Sequence, residues 1–363
     1  MTRALVRLGA PLLMLASLTG CNDDFKDITA VTESRILGAH VSVTGDPERV
    51  TPRPGETADV RFELVAPRPG PDTDDLYSMF VSCTYPNRFT GIPVCQEFLE
   101  LLQGVDLSDA EDADIPRIPC IGEQDIMEMG VGFVCKKGVP ELTISVAEDF
   151  DGPAKLVRGV ICDGGVPFFD VAEPGLFGCT NDVKPVLTHR QLPVSFDERE
   201  DNLNPDPAGF SFELNGEPWP ALSPETEAAL EEGTPCAFQE NPRDPRLVDT
   251  LDDLRGLDPF GHEITIAVDE DVLEPTEDGR ETIEVATHAT AGEVLRWLTI
   301  FDDEFEVDDG KVSDTLEWTG RDIDRRDTEG TLVDFYFTAR DRRGGFSVMR
   351  RTACVYSLES LID

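Results

Sequence analysis

The sequence contains nine cysteines, and their spacing limits the chemistry that they can perform. No two of them form a CxxC pair, so the sequence predicts neither a zinc knuckle nor a thioredoxin-type redox motif. Cys21 stands apart near the start, and eight more follow it: Cys83, Cys95, Cys120, Cys135, Cys162, Cys179, Cys236 and Cys354. An even number of cysteines in an exported protein is typical of a disulfide framework. Eight cysteines allow on the order of a hundred pairings, and we predict that each bonds to its next neighbour along the chain.

The histidines do not form a catalytic or metal-binding pattern. None of the four (His40, His189, His262 and His288) belongs to an HExxH or HxH spacing. The chain also lacks the GxSxG, SxxK, GxxxxGK(S/T) and GxGxxG motifs of common hydrolases and nucleotide-binding proteins. Since the eight later cysteines are predicted to be oxidised, a Cys–His nucleophile is disfavoured as well. We therefore predict that the protein is not an enzyme and requires no cofactor.

The N-terminal segment has the order of features found in secretory signals. Arg3 and Arg7 are followed by an uncharged, largely apolar run at 8–18. This run is too short to span a bilayer, which takes about 20 apolar residues. The tetrapeptide Leu18-Thr19-Gly20-Cys21 resembles the lipobox of bacterial lipoproteins, which are cleaved before the cysteine and acylated on it.

The lipobox resemblance implies where the protein is held. It implies a signal peptide at 1–20, and an acylated Cys21 that opens a flexible tether at 21–35 and anchors the chain in a lipid bilayer. Asn22 stands where enteric lipoproteins retained in the inner membrane carry an aspartate, so the outer membrane is favoured. Setting Cys21 aside also leaves the even cysteine count that disulfide pairing requires.

Apolar and polar residues alternate with period two in many short segments, a pattern that predicts half-buried strands. The predicted strands are 36–43, 59–65, 77–83, 141–146, 155–162, 183–196, 210–214, 262–268, 282–287, 294–301, 332–340 and 346–357. Of these, 294–301 is apolar on both faces and is predicted to be central. Ser223 as N-cap and Pro224 at the first position predict a short helix through residue 232. The irregular stretch 84–140 is predicted to be a disulfide-pinned insertion at a sandwich edge.

Strands at short spacing with few long helical periods predict an all-β protein made of β-sandwiches. A break in the pattern at 199–207 predicts a linker between domains at 36–198 and 208–363. The final hairpin, with its aromatic strand and the turn 341–345, resembles the last hairpin of bacterial immunoglobulin-like, PKD-like and cadherin-like repeats. Together with the lipobox, it resembles uncharacterised envelope lipoproteins of Gram-negative bacteria. The resemblance implies two immunoglobulin-like β-sandwich domains with disulfide-pinned insertions after a lipoprotein signal peptide.

The composition describes a folded but strongly acidic protein. Hydrophobic residues make up 40% of the chain, which is enough to bury a core. The formal net charge is −42 at pH 7. This charge argues against a nucleic-acid partner and against electrostatic adsorption to anionic lipids.

The predicted linker offers one metal-site hypothesis. It carries carboxylate and amide side chains, the oxygen ligands that calcium prefers, and loosely resembles the calcium-binding linker of cadherin repeats. The ligands that this resemblance implies are Asp201, Asn202, Asn204 and Asp206. Leu203 stands where the family has an acidic residue, and a solvated linker is the alternative. The acidic loop 302–310 is not predicted to be an EF-hand, because its spacing puts Val307 at a ligand position.

Three functions remain open from the sequence. The first is a non-catalytic, membrane-anchored envelope lipoprotein that binds a protein or glycan partner. The second is a calcium-dependent adhesion or scaffolding protein. The third is an accessory subunit of a surface enzyme or transporter.

Overall fold

The computed structural model describes residues 29–84, 117–120, 124–128, 131–170, 176–197, 201–238, 249–251, 253–258, 260–276, 279–302, 304–320, 323 and 330–356. The described residues up to 197 are called the N-terminal half here, and those from 201 onward the C-terminal half. Strands make up most of both halves, which confirms the predicted all-β fold class. The proposed signal peptide and Cys21 lie outside the described residues.

The N-terminal half contains eleven strands among its described residues. They are β1 (Arg35–Val43), β2 (Thr57–Val65), β3 (Leu76–Thr84), β4 (Arg117–Pro119), β5 (Gln124–Glu128), β6 (Val131–Lys137), β7 (Glu141–Ser145), β8 (Ala154–Asp163), β9 (Pro167–Asp170), β10 (Leu176–Cys179) and β11 (Val186–Pro193). A 3-10 helix at Thr73–Asp75 precedes β3. A five-stranded sheet with the order β11-β8-β3-β6-β5 is the centre of this half.

A smaller sheet covers each face of that central sheet. The sheet β1-β2-β7 packs on one face, where Phe62 stacks on Phe80 with ring centroids 5.2 Å apart. The sheet β10-β9-β4 packs on the other, where Phe169 lies 5.2 Å from Phe133. Met79 and Phe80 are neighbours in β3, yet both are fully buried, because each points to a different covered face. The predicted sandwich is therefore extended by a third layer.

Three disulfides confirm the predicted nearest-neighbour pairing. Cys120–Cys135 and Cys162–Cys179 connect the β10-β9-β4 layer to the central sheet, and Cys236–Cys354 lies in the C-terminal half. Cys83 is also disulfide-bonded, but its predicted partner Cys95 lies outside the described residues. Cys120–Cys135 and Cys162–Cys179 attach the third layer covalently to the central sheet. Such bonds are expected where a short sheet buries little apolar surface.

Part of the segment 84–140 predicted as an edge insertion belongs to the central sheet. β6 pairs antiparallel with β3, with Met79 opposite Cys135 and Val81 opposite Phe133. The insertion prediction was wrong for this strand. Phe133 and Cys135 are buried on one face of β6 and Val134 packs on the other, so the strand does not alternate between apolar and polar residues.

The C-terminal half contains fourteen strands among its described residues. They are β12 (Phe210–Leu214), β13 (Glu217–Pro218), β14 (Ala237–Phe238), β15 (Asp249–Thr250), β16 (Arg255–Leu257), β17 (Gly261–Asp269), β18 (Pro275–Thr276), β19 (Gly279–Arg280), β20 (Ile283–Ala289), β21 (Glu293–Val294), β22 (Leu298–Phe301), β23 (Lys311–Thr319), β24 (Thr331–Asp341) and β25 (Phe346–Val355). Helix α1 (Pro224–Glu231) begins at the predicted cap, where the Ser223 hydroxyl accepts the Thr226 N–H. Two 3-10 helices are at Pro207–Gly209 and Glu270–Val272.

Two five-stranded sheets pack face to face in this half. Their orders are β13-β12-β17-β23-β21 and β16-β25-β24-β20-β22. Two tryptophans and a phenylalanine lie at the centre of the shared core, with Phe335 5.1 Å from Trp219 and 5.3 Å from Trp318, both in edge-on geometry. The predicted β-sandwich is confirmed here.

The prediction of one central strand at 294–301 was wrong. The segment forms β21 and β22, which are edge strands of the two different sheets. The chain crosses between the sheets at Leu295, which is 54% exposed, so its apolar sequence does not reflect a central position. β23, to which no strand was assigned from the sequence, is the strand that β21 pairs with.

The predicted tether and linker are packed in their described parts. Ala30 forms a parallel bridge with Ala289 of β20, and Val31 is 0% exposed. Asn202 in the predicted linker is also 0% exposed. The prediction of free, solvated segments was wrong for these residues, because the Val31 N–H bonds to the Ala289 carbonyl and the Asn202 amide N–H bonds to Asp341. No helix in the described ranges is long and apolar enough to cross a membrane.

Candidate binding groove between the two halves

An apolar contact between β1 and β25 is the first element of the junction between the halves. Leu37 and Val65 of the N-terminal half form one buried cluster with Tyr336 and Phe346 of the C-terminal half. Gly38 permits the closest approach, because a Cβ at this position would lie 2.2 Å from the Phe346 ring. β1 also has a register irregularity between Ile36 and Gly38. The backbone of β1 is thus shaped around the Phe346 side chain.

A buried carboxylate links the halves on the β24 face. Asp334 is 1% exposed and accepts hydrogen bonds from Arg68 at 2.9 Å and from Arg350 at 2.9 Å. Both arginines also bond to Glu227 of α1 at 3.1 Å, and the Thr352 hydroxyl donates to Asp334 at 2.7 Å. Burial opposes the charge on Arg68, yet Asp334 and Glu227 raise its pKa above the usual value. Arg68 is the contribution of the N-terminal half to this four-residue ion cluster.

The turn between β24 and β25 forms a second polar connection. One oxygen of Asp341 accepts the backbone N–H groups of Arg343, Gly344 and Gly345 at 2.6–2.8 Å. Its other oxygen accepts the Asn202 amide at 2.9 Å. A Cβ at Gly345 would lie 2.0 Å from that oxygen, so the turn requires glycine there. The carboxylate thereby fixes both the turn and the predicted linker.

A groove of about 670 Å³ opens along this junction. Its walls are β1 and β2 (through His40, Arg61 and Glu63), the segment 203–207, and the start of β25 at 346–348. Leu203 is 42% exposed within it. A second concavity of about 1050 Å³, lined by Arg68, Glu227 and Asp334 among others, shares Glu63 and Val348 with the groove. Both are built from residues of the two halves.

His40 in the groove has a pKa below the usual value for histidine. Burial lowers the pKa of His40, and the nearby charges of Arg61 and Arg190 lower it further. Arg61 itself pairs with Glu63 at 3.4 Å. Two arginines therefore lie close enough to His40 to act on its pKa, in a protein whose net charge is strongly negative.

The four predicted calcium ligands lie beside this groove, and each already contacts protein atoms. Asp201 pairs with Arg53 and lies 3.9 Å from Arg49. Asn204 donates to the Val41 carbonyl at 2.8 Å and accepts the Phe346 N–H at 3.1 Å. Asn202 donates to Asp341, as described above. Asp206 is the N-cap of the 3-10 helix at Pro207–Gly209. Calcium binding by these residues stays a prediction.

The histidines remain apart from one another. His40 lines the groove, His189 lies on β11, His288 is in β20, and His262 contacts Asn215 at 2.9 Å and Asp258 at 3.2 Å. Within the described part of the chain, no group of three or more His, Cys, Asp or Glu side chains is placed to hold a metal ion. The junction residues Asp334, Asp341 and Phe346 were not identified as site residues from the sequence. The alternation along a strand assigns each of these residues to one face of the sheet, but it does not predict which residue will contact it.

Comparisons with known proteins assign no family. No protein-family model matches the chain, and no curated protein does. Among solved structures, red sea bream transglutaminase is similar at 9% identity and a TM-score of 0.20, over 88% of this chain and 32% of that one. Dimeric latent PorU from Porphyromonas gingivalis is similar at 9% identity and a TM-score of 0.18, over 90% of this chain and 24% of that one. The chain spans a third or less of these proteins, and TM-scores this low support no conclusion about function.

Proposed function

We propose that this protein is a non-catalytic, lipid-anchored lipoprotein of a bacterial envelope, more specifically of the outer membrane, that binds a protein or glycan partner. The observation that carries the binding role is the groove of about 670 Å³ whose walls come from both halves. Concave sites between packed units are common positions for ligands. The partner would contact His40 and Leu203 on opposite walls.

The groove suits binding because its walls are tied together. Asn204 bonds to β1 through its amide N–H and to β25 through its carbonyl oxygen. The Ser347 hydroxyl donates to the Pro205 carbonyl, and this bond fixes the start of β25 to the segment 203–207. Walls held in this way lose little conformational entropy when a partner binds, so more of the contact energy contributes to affinity.

The proposed anchor has a short reach. Thr29 is eight positions after Cys21, and there the chain is already buried against the C-terminal half. A fully extended chain of this length spans about 28 Å. The proposal therefore places the C-terminal half, rather than the N-terminal half, next to the bilayer.

We expect the Cys21→Ser variant to leave the membrane fraction and to remain folded. Each methylene of an acyl chain buried in the bilayer contributes about 0.8 kcal/mol, and stable anchoring requires more than one chain. The acidic surface would not replace that contribution. The measurement is fractionation of bacterial cells together with palmitate labelling, and Asn22→Ser, which keeps the cysteine, is the control. A Cys21→Ser protein that stays with the membrane contradicts the lipid anchor.

We expect a photo-crosslinking side chain at Leu203 to capture one partner in intact cells, since Leu203 is exposed within the groove. The matched control is the same side chain at Leu295, which is 54% exposed in the C-terminal half and does not line the groove. A second variant, Glu48→Trp, places bulk on the groove wall and is expected to reduce capture at Leu203. Equal capture at both positions, or capture that Glu48→Trp leaves unchanged, contradicts binding in the groove.

A further inference from the structure

Two arginines at the junction have main-chain oxygens in place of carboxylate partners. Arg190 of β11 donates to the Gly344 carbonyl in the β24–β25 turn. Arg340 of β24 donates to the Leu37 carbonyl in β1. Each bond crosses from one half to the other, and neither guanidinium forms a salt bridge with any residue of the described ranges.

This arrangement differs from that of the other arginines at the junction. Those arginines each pair with at least one carboxylate: Arg49 with Glu56, Arg53 with Asp201, Arg68 and Arg350 with Asp334, and Arg343 with Glu281. The chain has 73 acidic residues against 31 basic ones, so carboxylates are abundant. Arg190 and Arg340 instead bond to main-chain oxygens across the junction, as Arg351 and Arg255 do elsewhere in the C-terminal half.

Arg190 is also incompletely hydrogen-bonded. Its Nε–H is buried and has no acceptor among the described atoms, although a buried donor left without an acceptor is costly. Burial lowers the pKa of Arg190 to about 10, with the Asp341 charge opposing this shift and the Arg340 charge adding to it. The two arginines thus act on each other, and the positive charge at Arg190 is not fully compensated.

We propose that Arg190 and Arg340 bind an oxyanion group of the phosphate type. A guanidinium presents several N–H donors in a plane, which suits the oxygens of phosphate or sulfate. Arg340 is exposed, so a ligand can reach it from solvent, and Arg190 is partly exposed although its Nε is buried. Arg340 also lies over the Phe346 ring at 5.6 Å, which fixes its position beside the groove.

His40 provides an internal reporter of this site. Because Arg190 lowers the pKa of His40, an oxyanion that neutralises Arg190 should raise that pKa, and binding should strengthen as the pH falls. The other charged groups that face His40 across its two concavities are Arg61, Glu48, Glu63, Asp206, Asp59, Lys136 and Glu141. A shift of the His40 pKa on phosphate addition would report a ligand that neutralises Arg190.

The test is titration of sodium phosphate, and separately of sodium sulfate, into the full-length Cys21→Ser protein at low ionic strength, followed by calorimetry and by NMR of the histidine rings. We expect saturable binding with a raised His40 pKa. Arg340→Gln and Arg190→Gln should each weaken binding at least about tenfold, the effect of losing a charged hydrogen-bond donor. Arg342→Gln is the matched control, because Arg342 lies in the same turn but pairs with Glu284 at 3.3 Å.

Flotation with phosphatidylglycerol vesicles distinguishes the source of the oxyanion. Vesicle binding that free phosphate displaces would identify a lipid headgroup, and phosphate binding without vesicle binding would identify a soluble ligand. Absence of saturable binding to all three probes would overturn the proposal, as would binding that Arg340→Gln does not weaken. If Arg190→Gln does not fold, the exposed Arg340 decides the question.

Discussion

Replacing Asp334 with asparagine is expected to lower the free energy of unfolding by about 3–5 kcal/mol, the usual effect of removing one partner from a buried ion cluster. The carboxylate is 1% exposed and accepts bonds from both Arg68 and Arg350. Asparagine keeps the shape but removes the charge, so two guanidinium groups would share Glu227 alone. The loss should fall near the lower end of the range, because Glu227 still pairs with both.

Urea unfolding followed by circular dichroism measures this effect. The matched control is Asp269→Asn, since Asp269 pairs with Lys311 at 3.2 Å and both side chains are exposed on the C-terminal half. Surface pairs contribute about 0–1 kcal/mol, so Asp269→Asn should hardly move the transition. If the two variants lost the same stability, the Asp334 cluster would not hold the halves together.

Asp334 also shows what the strand pattern can and cannot predict. The alternation in β24 correctly assigns Val333, Phe335 and Phe337 to one face, and these residues lie in the core. It equally assigns Asp334 and its neighbours to the opposite face, which the pattern predicts to be exposed. Asp334 and Tyr336 on that face are buried, because Leu37, Val65 and Arg68 of the N-terminal half cover them. A period of two reports which face is apolar but not what packs on the polar face.

The local elements were more predictable than the site. β12 has the predicted bounds, and α1 begins at the predicted cap, because turn and capping residues act over a few positions. The groove depends on contacts between residues far apart in sequence, such as Asn204 with Val41 and Phe346. An asparagine in a proline-rich stretch is typical of a solvated linker, and its sequence neighbours carry no sign of these partners. Arg190 and Arg340 were likewise indistinguishable from solvent-facing strand residues.

Removing the Cys236–Cys354 disulfide by a double alanine substitution is expected to lower the free energy of unfolding by about 5 kcal/mol, on the chain-entropy estimate for a loop of this length. The bond joins residues 118 positions apart, so it restricts a large part of the unfolded chain. In the folded state it is enclosed, since a Cβ at Gly330 would lie 2.6 Å from the Cys354 sulfur. Both effects act in the direction of lower stability for the variant.

The Cys162–Cys179 pair provides the matched control, because it closes a separation of 17 residues. The same chain-entropy relation gives about 3 kcal/mol for that loop. Comparing the urea midpoints of the two double-alanine variants therefore separates loop closure from the loss of buried sulfur, which both variants share. If the short loop cost as much as the long one, restriction of the unfolded chain would not explain the stabilisation, and packing around the β10-β9-β4 layer would have to account for it.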